Sequence, residues 1–367
     1  MPATDTKVKV PLLHIVKRDG LVWWRSWLIR ICALVLALIV SGIVSYFITK
    51  ENPLRIYSVM ISGTFGTQRR VWSTMQSLAM LLCVSIAVTP AFKMRFWNIG
   101  AEGQVLAGGL ASAACMILFG QKLSNTVLIV VMIAASIAAG ALWAVIPAFF
   151  RANWNTNETL FTLMMNYIAI QLVSFFTYKW SVPKGSGQVG IINRTSHAGW
   201  LPVIAGKEHL LNIIIVLVIT AVMYIYLKYT KQGYEIAVVG ESENTAKYIG
   251  LSVKKVIIRT MIISGAICGL SGLLLVAGTD HTISRETAAG RGFTAIMVSW
   301  LAKFDPLVMI LTSFIIAFLD KGAIEISTSF GLNKSFSDII TGIIIFFIIG
   351  SEFFIQYKVK FKEKEEA

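Results

Sequence analysis

Polar residues that could do chemistry are concentrated in three clusters of a chain that is otherwise mostly apolar. The first two clusters carry carboxylate, carboxamide and hydroxyl groups and consist of Asn98, Glu102 and Gln104, and of Glu158, Thr162 and Asn166. The third is the charged stretch 240–250, which separates two apolar runs of membrane-spanning length. Such groups can form hydrogen bonds, exchange a proton or bind a partner, and their surroundings decide which of these they do.

The chain contains no motif typical of bond-making chemistry or of nucleotide binding. Gly206 and Lys207 are followed by Glu208, so this pair does not end a phosphate-binding loop. No His/Cys ligand cluster and no Ser/His/Asp set can be identified, and the four cysteines lie in apolar runs, as small buried residues do. We therefore expect no catalytic residue, metal or other cofactor in this chain. If ATP drives its activity, the ATPase is another polypeptide.

Uncharged amides and hydroxyls along a path suit a neutral polar solute such as a sugar or a nucleoside. An ion path would more often show rings of Asp or Glu, and a proton-coupled carrier needs buried titratable residues in several spans. Here Glu102 is the clearest carboxylate inside an apolar run. A secondary transporter or channel is therefore the less favoured alternative.

The elements that must position these clusters are membrane helices. Hydrophobic residues make up 56% of the chain and charged residues 14%, against roughly 25% charged in a soluble domain. A helix needs about 20 apolar residues to cross a bilayer. The predicted fold is an all-α polytopic membrane protein of about ten transmembrane helices, one of them short or re-entrant. The predicted spans lie near 27–49, 71–91, 98–120, 126–150, 158–178, 209–229, 259–278, 289–302 (the short one), 306–325 and 338–356.

Lysine and arginine set the orientation of these spans. The net charge of +14 would suggest a nucleic-acid partner in a soluble chain, but here the basic residues lie mainly in loops and are enriched in those predicted to be cytoplasmic. Lipid, and no nucleic acid, is therefore the expected surrounding, with both termini cytoplasmic. The organisation predicted is a cytoplasmic segment 1–26, a transmembrane domain 27–356 with a cytoplasmic coupling segment near 235–255, and a charged cytoplasmic tail 357–367.

Each cluster has a functional and a structural interpretation. Glu102 and its neighbours open the third span, where they face either a cavity or another helix. Glu158, Thr162, Asn166 and, roughly, Gln171 are predicted to share one side of the fifth span, which either lines a path or joins two helices. The stretch 240–250 is either an ordinary loop or a short helix that lies flat on the membrane and docks into a soluble partner.

Four segments, in order, carry a resemblance to a known family. They are 96–104 (FWNIGAEGQ), 157–169 (NETLFTLMMNYIA), 240–251 (GESENTAKYIGL) and 290–306, which begins GRGFTAI and ends KFDP. Together they resemble the permeases of nucleoside-type ABC importers, within the sugar and branched-chain amino-acid permease group. Trp97 stands where that group usually has Phe.

The resemblance implies a permease subunit that translocates nucleosides by alternating access, with a simple-sugar permease of the same fold as the alternative. Its implied partners are a second permease, commonly a different chain, a cytoplasmic ATPase and an extracytoplasmic substrate-binding lipoprotein, in a bacterial plasma membrane. The substrate path is expected at Asn98, Glu102, Gln104, Glu158, Thr162 and Asn166. ATPase coupling is expected at Gly240, Glu241, Asn244, Ala246 and Gly250.

Overall fold

The computed structural model describes residues 13–18 and 22–361, and these residues form two compact units. The first unit contains the chain up to Thr64 and again from Leu319, and the second runs from Phe65 to Phe318. Parts of the predicted segments 1–26 and 357–367 lie outside the described residues. Within the described part, nearly all of the regular secondary structure is helical, which confirms the all-α prediction.

The first unit joins the two ends of the chain. Its helices are α1 (Trp23–Thr49), α2 (Pro53–Phe65), the second half of α12 (Pro306–Ser329) and α13 (Lys334–Gln356). The unit boundary falls at Thr64, just before the last residue of α2. Helices α1 and α13 pack together, and Arg30 forms an ion pair of 2.5 Å with Glu352 between them.

A small sheet was not predicted. Strand β1 (Leu13–Lys17) pairs antiparallel with β2 (Tyr357–Phe361), so that Leu13 lies opposite Phe361 and Lys17 opposite Tyr357. Because β1 precedes α1 and β2 follows α13, the pairing holds the two chain ends on one side. The ten spans predicted from the sequence imply the same, because an even number of crossings returns the chain to its starting side.

The second unit contains the polar clusters. Its helices are α3 (Gln68–Lys93), α4 (Ala101–Phe119), α5 (Asn125–Trp154), α6 (Glu158–Trp180), α7 (Leu210–Tyr229), α8 (Lys231–Glu241), α9 (Glu243–Tyr248), α10 (Val253–Leu275, continued by one π-helical turn to Asp280), α11 (Arg291–Leu301) and the first half of α12.

Close helix packing forms the centre of this unit. Helix α10 packs against α3, α4 and α5, and small residues let the backbones meet. A Cβ atom on Gly269 would collide with the backbone of Ser136 in α5, and one on Gly108 in α4 would collide with Gly269 itself. The spacing Gly265–Gly269 thus gives α10 a groove into which its neighbours fit.

Nine of the described helices are long and apolar enough to cross a membrane, namely α1, α3, α4, α5, α6, α7, α10, α12 and α13. The tenth predicted span, near 289–302, is the 11-residue α11. Its shortness was predicted from Gly290 and Gly292. The segment between α1 and α3 contains α2, and α3 begins after Thr67, whose side chain accepts a hydrogen bond from the backbone N–H of Arg70.

Candidate functional site

The first two polar clusters meet at one place in the second unit, which we call the polar junction: Asn98, Glu102, Gln104, Thr162 and Asn166. All five are buried. They surround the start of α4, which begins at Ala101 and not at the predicted residue 98. The chain before it, from Trp97 to Gly100, is not helical. A helix that starts inside an apolar interior leaves backbone N–H groups without hydrogen-bond acceptors. Side chains of the polar junction supply these acceptors.

Two side chains of helix α6 provide some of these acceptors. The backbone N–H of Ile99 donates to the Thr162 hydroxyl at 3.1 Å, and that of Gly103 donates to Asn166 Oδ1 at 2.8 Å. Asn166 Nδ2 in turn donates to the Ile99 carbonyl at 2.8 Å. A Cβ atom on Gly103 would crowd Asn166, so this glycine allows the close approach. Both α6 side chains therefore bind the backbone at the start of α4.

Two carboxamides complete the turn that precedes α4. Asn98 Oδ1 accepts from the backbone N–H of Gly100 at 3.0 Å and from Gln104 Nε2 at 3.1 Å. The Asn98 Nδ2 group lies 3.4 Å from the Ser264 hydroxyl of α10. Asn98 is thus the side chain that links this turn to the centrally packed helix.

Glu102 binds the start of another helix. Its Oε1 accepts from the backbone N–H of Gly290 at 2.8 Å, and its Oε2 accepts from that of Gly292 at 2.7 Å. The carboxylate therefore caps the N-terminus of α11, where the helix dipole favours negative charge. A Cβ atom on Gly292 would collide with the backbone of Glu102, which explains why glycine is needed there. Of the two placements expected for Glu102, a cavity or another helix, the structure shows the contact with another helix.

In this conformation the polar junction joins α4, α6, α10 and α11. Its side chains form hydrogen bonds to one another and to nearby backbone groups. That arrangement matches the structural interpretation of both clusters. A role of these five residues in contact with substrate stays a prediction, because it requires the junction to open.

Glu158 lies apart from the junction. It begins α6 at the end predicted to be cytoplasmic, and its Oε2 is 3.2 Å from Arg151 Nε near the end of α5. The same Arg151 also reaches Glu243 Oε1 of α9 at 3.3 Å. Glu158 is therefore part of an ion-pair network with the third cluster.

The predicted shared face of α6 is only partly correct. Thr162 and Asn166 are buried, whereas Gln171 is exposed. The reason is helical geometry, because nine residues advance a helix by about two and a half turns and place Gln171 opposite Thr162. Gln171 was the weakest member of the set, and the period of the helix alone could have excluded it.

The third cluster forms two short helices, α8 and α9, between α7 and α10. Ser242 ends α8 and caps α9, since its side chain accepts from the backbone N–H of Thr245 at 3.2 Å. After α9 the chain turns at Gly250, whose φ of +84° is in the left-handed region that favours glycine. This segment is thus a short helix, as the functional interpretation predicted.

Two small residues of this segment, Gly240 and Ala246, do not form its outer surface. Ala246 is buried, and a Cβ atom on Gly240 would collide with the backbone carbonyl of Lys93 at the end of α3. Glu241, Asn244 and the 93% exposed Tyr248 face outward instead. Gly240 and Ala246 therefore seat the helices on the rest of the unit. Their role in ATPase coupling stays a prediction.

An ion pair strengthens the attachment of α8 to the long helices. Arg259 Nη2 of α10 lies 2.9 Å from Glu235 Oε2 of α8. Together with the Arg151 contact to Glu243, it fastens both short helices to the long helices α5 and α10. A force applied to α8 and α9 would reach the helix bundle through these contacts.

An aromatic cluster near the end of α3 was not predicted. Trp97 stacks on Trp300 of α11 with ring centroids 5.6 Å apart, and Phe92 and Phe304 pack edge-on against Trp300. A cavity of about 350 Å³ opens between these rings and Lys93. The unusual Trp97 was the only sequence signal for it.

The opposite end of the unit contains a histidine in an aromatic stack. His281, just after α10, lies flat against Trp200 with ring centroids 3.7 Å apart, and His197 packs on the same tryptophan at 4.2 Å. Trp200 Nε1 donates to the Ile192 carbonyl at 2.9 Å. Burial lowers the pKa of His281 from its ordinary value, and the nearby His197 adds to this. The stack therefore favours the neutral imidazole.

Comparison with known proteins gives one family. The profile of the family described as "Branched-chain amino acid transport system / permease component" matches residues 71–349. The chain is 29% identical over 336 residues to the glucose ABC transporter permease protein TsgB13 of Haloferax volcanii, covering 89% of this chain and 88% of that protein.

Two nucleoside-related proteins are also similar. The guanosine ABC transporter permease protein NupP of Bacillus subtilis is 28% identical over 328 residues, covering 88% of this chain and 93% of that protein. The nucleoside ABC transporter permease protein NupB of Lactococcus lactis is 26% identical over 333 residues, with 88% and 91% covered.

Proposed function

We propose that this chain, which belongs to the branched-chain amino acid transport system permease family, translocates nucleosides as one subunit of a bacterial ABC importer. It is an ABC permease subunit of the sugar and nucleoside import type and a multi-pass membrane protein. Such subunits are transport components and not enzymes, since separate ATPase subunits hydrolyse ATP. Family membership also removes the secondary transporter and the channel as alternatives.

The observation that carries the proposal is the exposed pair of helices α8 and α9 between two spanning helices. Its outer surface presents Tyr248 with Glu241, Asn244 and Lys247, which combine one large ring with hydrogen-bonding and charged groups. A surface of this composition suits docking into a cleft of a soluble ATPase. ATP-driven closure of two ATPases would push on α8 and α9, and the contacts of Arg151 and Arg259 would pass the movement to α5 and α10.

The nucleoside assignment rests on the segment-by-segment resemblance and on two relatives named for guanosine and nucleosides. Glucose is the second candidate, because the permease named for glucose is of similar identity. Both solutes are neutral and rich in hydroxyl groups.

The remaining parts of the proposal concern the assembly. A second permease, commonly a different chain in this group, would complete the path, and a substrate-binding lipoprotein would deliver the solute from outside. The complex would lie in the plasma membrane of a bacterium and alternate between outward-open and inward-open states. Opening of the polar junction during that cycle is the event that would bring Asn98, Gln104 or Asn166 to the path.

The test is uptake by the complete complex in proteoliposomes. The four components would be reconstituted, with the lipoprotein outside and ATP inside, and supplied with radiolabelled guanosine or glucose. We expect ATP-dependent uptake of the nucleoside that excess unlabelled nucleoside, but not glucose, suppresses. Uptake of glucose alone would replace the nucleoside assignment by the sugar assignment, and uptake without ATP would contradict the ABC mechanism.

A further inference from the structure

One side of α6 carries a polar side chain that a lipid-facing surface does not tolerate. Gln171 is exposed and lies 13 residues after Glu158 and nine before Trp180. It is therefore about 20 Å and 14 Å from the two ends of the helix. In the described part of the chain, the other exposed carboxamides of the spanning helices lie within one residue of a helix end: Gln68, Asn125, Asn153 and Gln356.

The carboxamide of Gln171 makes no hydrogen bond to any residue that the structure describes. A carboxamide without partners in hydrocarbon costs several kcal/mol, because no water is present to satisfy it. Three other polar side chains of α6, Thr162, Asn166 and Ser174, form hydrogen bonds within the protein, whereas the buried Thr177 hydroxyl has no partner among the described residues. Gln171 must therefore face either water or another polypeptide.

The surroundings of Gln171 leave room for a solute on an apolar surface. A groove of about 350 Å³ with an apolar wall opens beside it and is lined by Tyr167, Ile168, Gln171 and Leu172. Tyr167 is exposed one turn earlier, and Ser174 and the exposed Tyr178 continue the same side toward the far end of the helix. The spacing 167, 171, 174 and 178 places all four on one helical face.

The same face is apolar in the first turns of α6, near the end predicted to be cytoplasmic, where Leu160 and Met164 are exposed. The polar groups thus begin at the middle of the span and extend toward the end predicted to be extracytoplasmic. Helix α7 offers a contrast, because the exposed residues in its middle are all apolar, as in Val218 and Val222. That surface has the composition that lipid requires.

We propose that the Tyr167–Gln171–Ser174–Tyr178 face of α6 lines the translocation path and that Gln171 is the group that hydrogen-bonds to the solute at mid-span. The proposal rests on the proposed transport function and adds the location of the path. The solute class is neutral, with hydrogen-bonding groups and a flat ring or sugar face that can lie on the apolar wall beside a tyrosine. A single carboxamide binds such a solute weakly, so the solute can be released.

The experiment uses the complete complex with Cys32→Ser, since Cys32 is the exposed cysteine among the four and the other three are buried. Gln171→Cys is compared with Val218→Cys, which replaces a 56% exposed residue in the middle of α7. A cationic, membrane-impermeant thiosulfonate is added to both. We expect it to modify Gln171→Cys and block uptake, and to leave Val218→Cys unmodified and active. Lack of reaction at both positions would place Gln171 in lipid and overturn the proposal.

Gln171→Leu separates the path from an interface between permeases. Loss of one hydrogen bond changes an equilibrium constant a few-fold to about tenfold. We expect uptake to fall by that factor while membrane abundance and co-purification of the second permease stay normal. Loss of the second permease from the complex would show that Gln171 belongs to the interface instead, and unchanged uptake would remove it from the path.

The test of Gln171 does not depend on which solute the complex imports. If the wild-type complex imports glucose and no nucleoside, the nucleoside assignment fails, while the labelling and the Gln171→Leu comparison are repeated with glucose and keep their meaning.

Discussion

At the scale of single residues, Glu102 shows how a charged side chain can be tolerated within a spanning helix. Both carboxylate oxygens accept hydrogen bonds from backbone N–H groups of α11, so one side chain satisfies two donors that would otherwise be unpaired. The carboxylate and the helix end therefore depend on each other. This is a structural reason for the residue that requires no contact with substrate.

Glu102 variants test that dependence. Glu102→Leu leaves the N–H groups of Gly290 and Gly292 without acceptors, and a buried donor without a partner costs about 1–3 kcal/mol. Glu102→Gln keeps one acceptor oxygen but turns an N–H group toward the second donor. We expect membrane abundance and the thermal midpoint of the purified complex to decrease from wild type to Gln to Leu. Equal values for Gln and Leu would show that the carboxylate does not cap α11.

At the scale of elements, α9 separates residues that seat the helix from residues that reach outward. Tyr248→Ala removes an exposed ring that contributes little to the fold, so the thermal midpoint should be unchanged while ATPase binding and nucleoside uptake decrease several-fold. Ala246→Glu places a charge at a fully buried position and should lower stability itself. Tyr46→Ala, on the exposed side of α1, is the matched control and should leave ATPase binding unchanged. Normal ATPase binding by Tyr248→Ala would argue against docking at this surface.

The stack of His281 on Trp200 predicts that the stability of the protein depends on pH. The pKa of His281 is lowered in the folded protein, so the unfolded chain binds more protons between that lowered pKa and the ordinary value of 6.5. Stability should therefore fall as the pH drops below about 6.5. His197, Glu208 and His209 are the neighbouring titratable groups.

The measurement is the thermal midpoint of the complex at pH 7.5 and at pH 5.5. His281→Phe keeps a flat ring beside Trp200 but cannot take a proton, so its midpoint should decrease less than that of the wild type. The same decrease in both proteins would assign the pH effect to other groups.

At the scale of the whole molecule, local patterns predicted the spanning helices and not their pairings. Apolar length is a local property, and it placed all nine long helices and the short α11. The partner of Glu102 could be expected but not identified, because Gly290 lies 188 residues away along the chain. The sheet between β1 and β2 was missed for the same reason, since its strands are at opposite ends of the sequence.

The polar clusters were found by their composition, but their exposure depends on neighbours. Asn166 and Gln171 are both carboxamides on one helix, yet one is 2% exposed and binds α4 while the other faces outward. Only the packing of α4 against α6 distinguishes them. For this reason the sequence could not show that five of the six residues expected along the path form a junction in this conformation, and their role in the path stays a prediction.

The orientation of the whole chain gives the last prediction. Six of the long apolar helices precede α8, so with the predicted cytoplasmic N-terminus and the enrichment of basic residues α8 and α9 are expected on the cytoplasmic side and the loop between α6 and α7 outside. In the Cys32→Ser background, Gly187→Cys would lie in that loop, where a Cβ atom meets no described atom within 4 Å apart from those of its chain neighbours, and Tyr248→Cys would lie on α9. A membrane-impermeant maleimide should label Gly187→Cys in intact cells and Tyr248→Cys only in inside-out vesicles. The reverse pattern would invert the topology and place Tyr248 where no cytoplasmic ATPase could reach it, whereas the expected pattern leaves α8 and α9 on the side where ATP is hydrolysed.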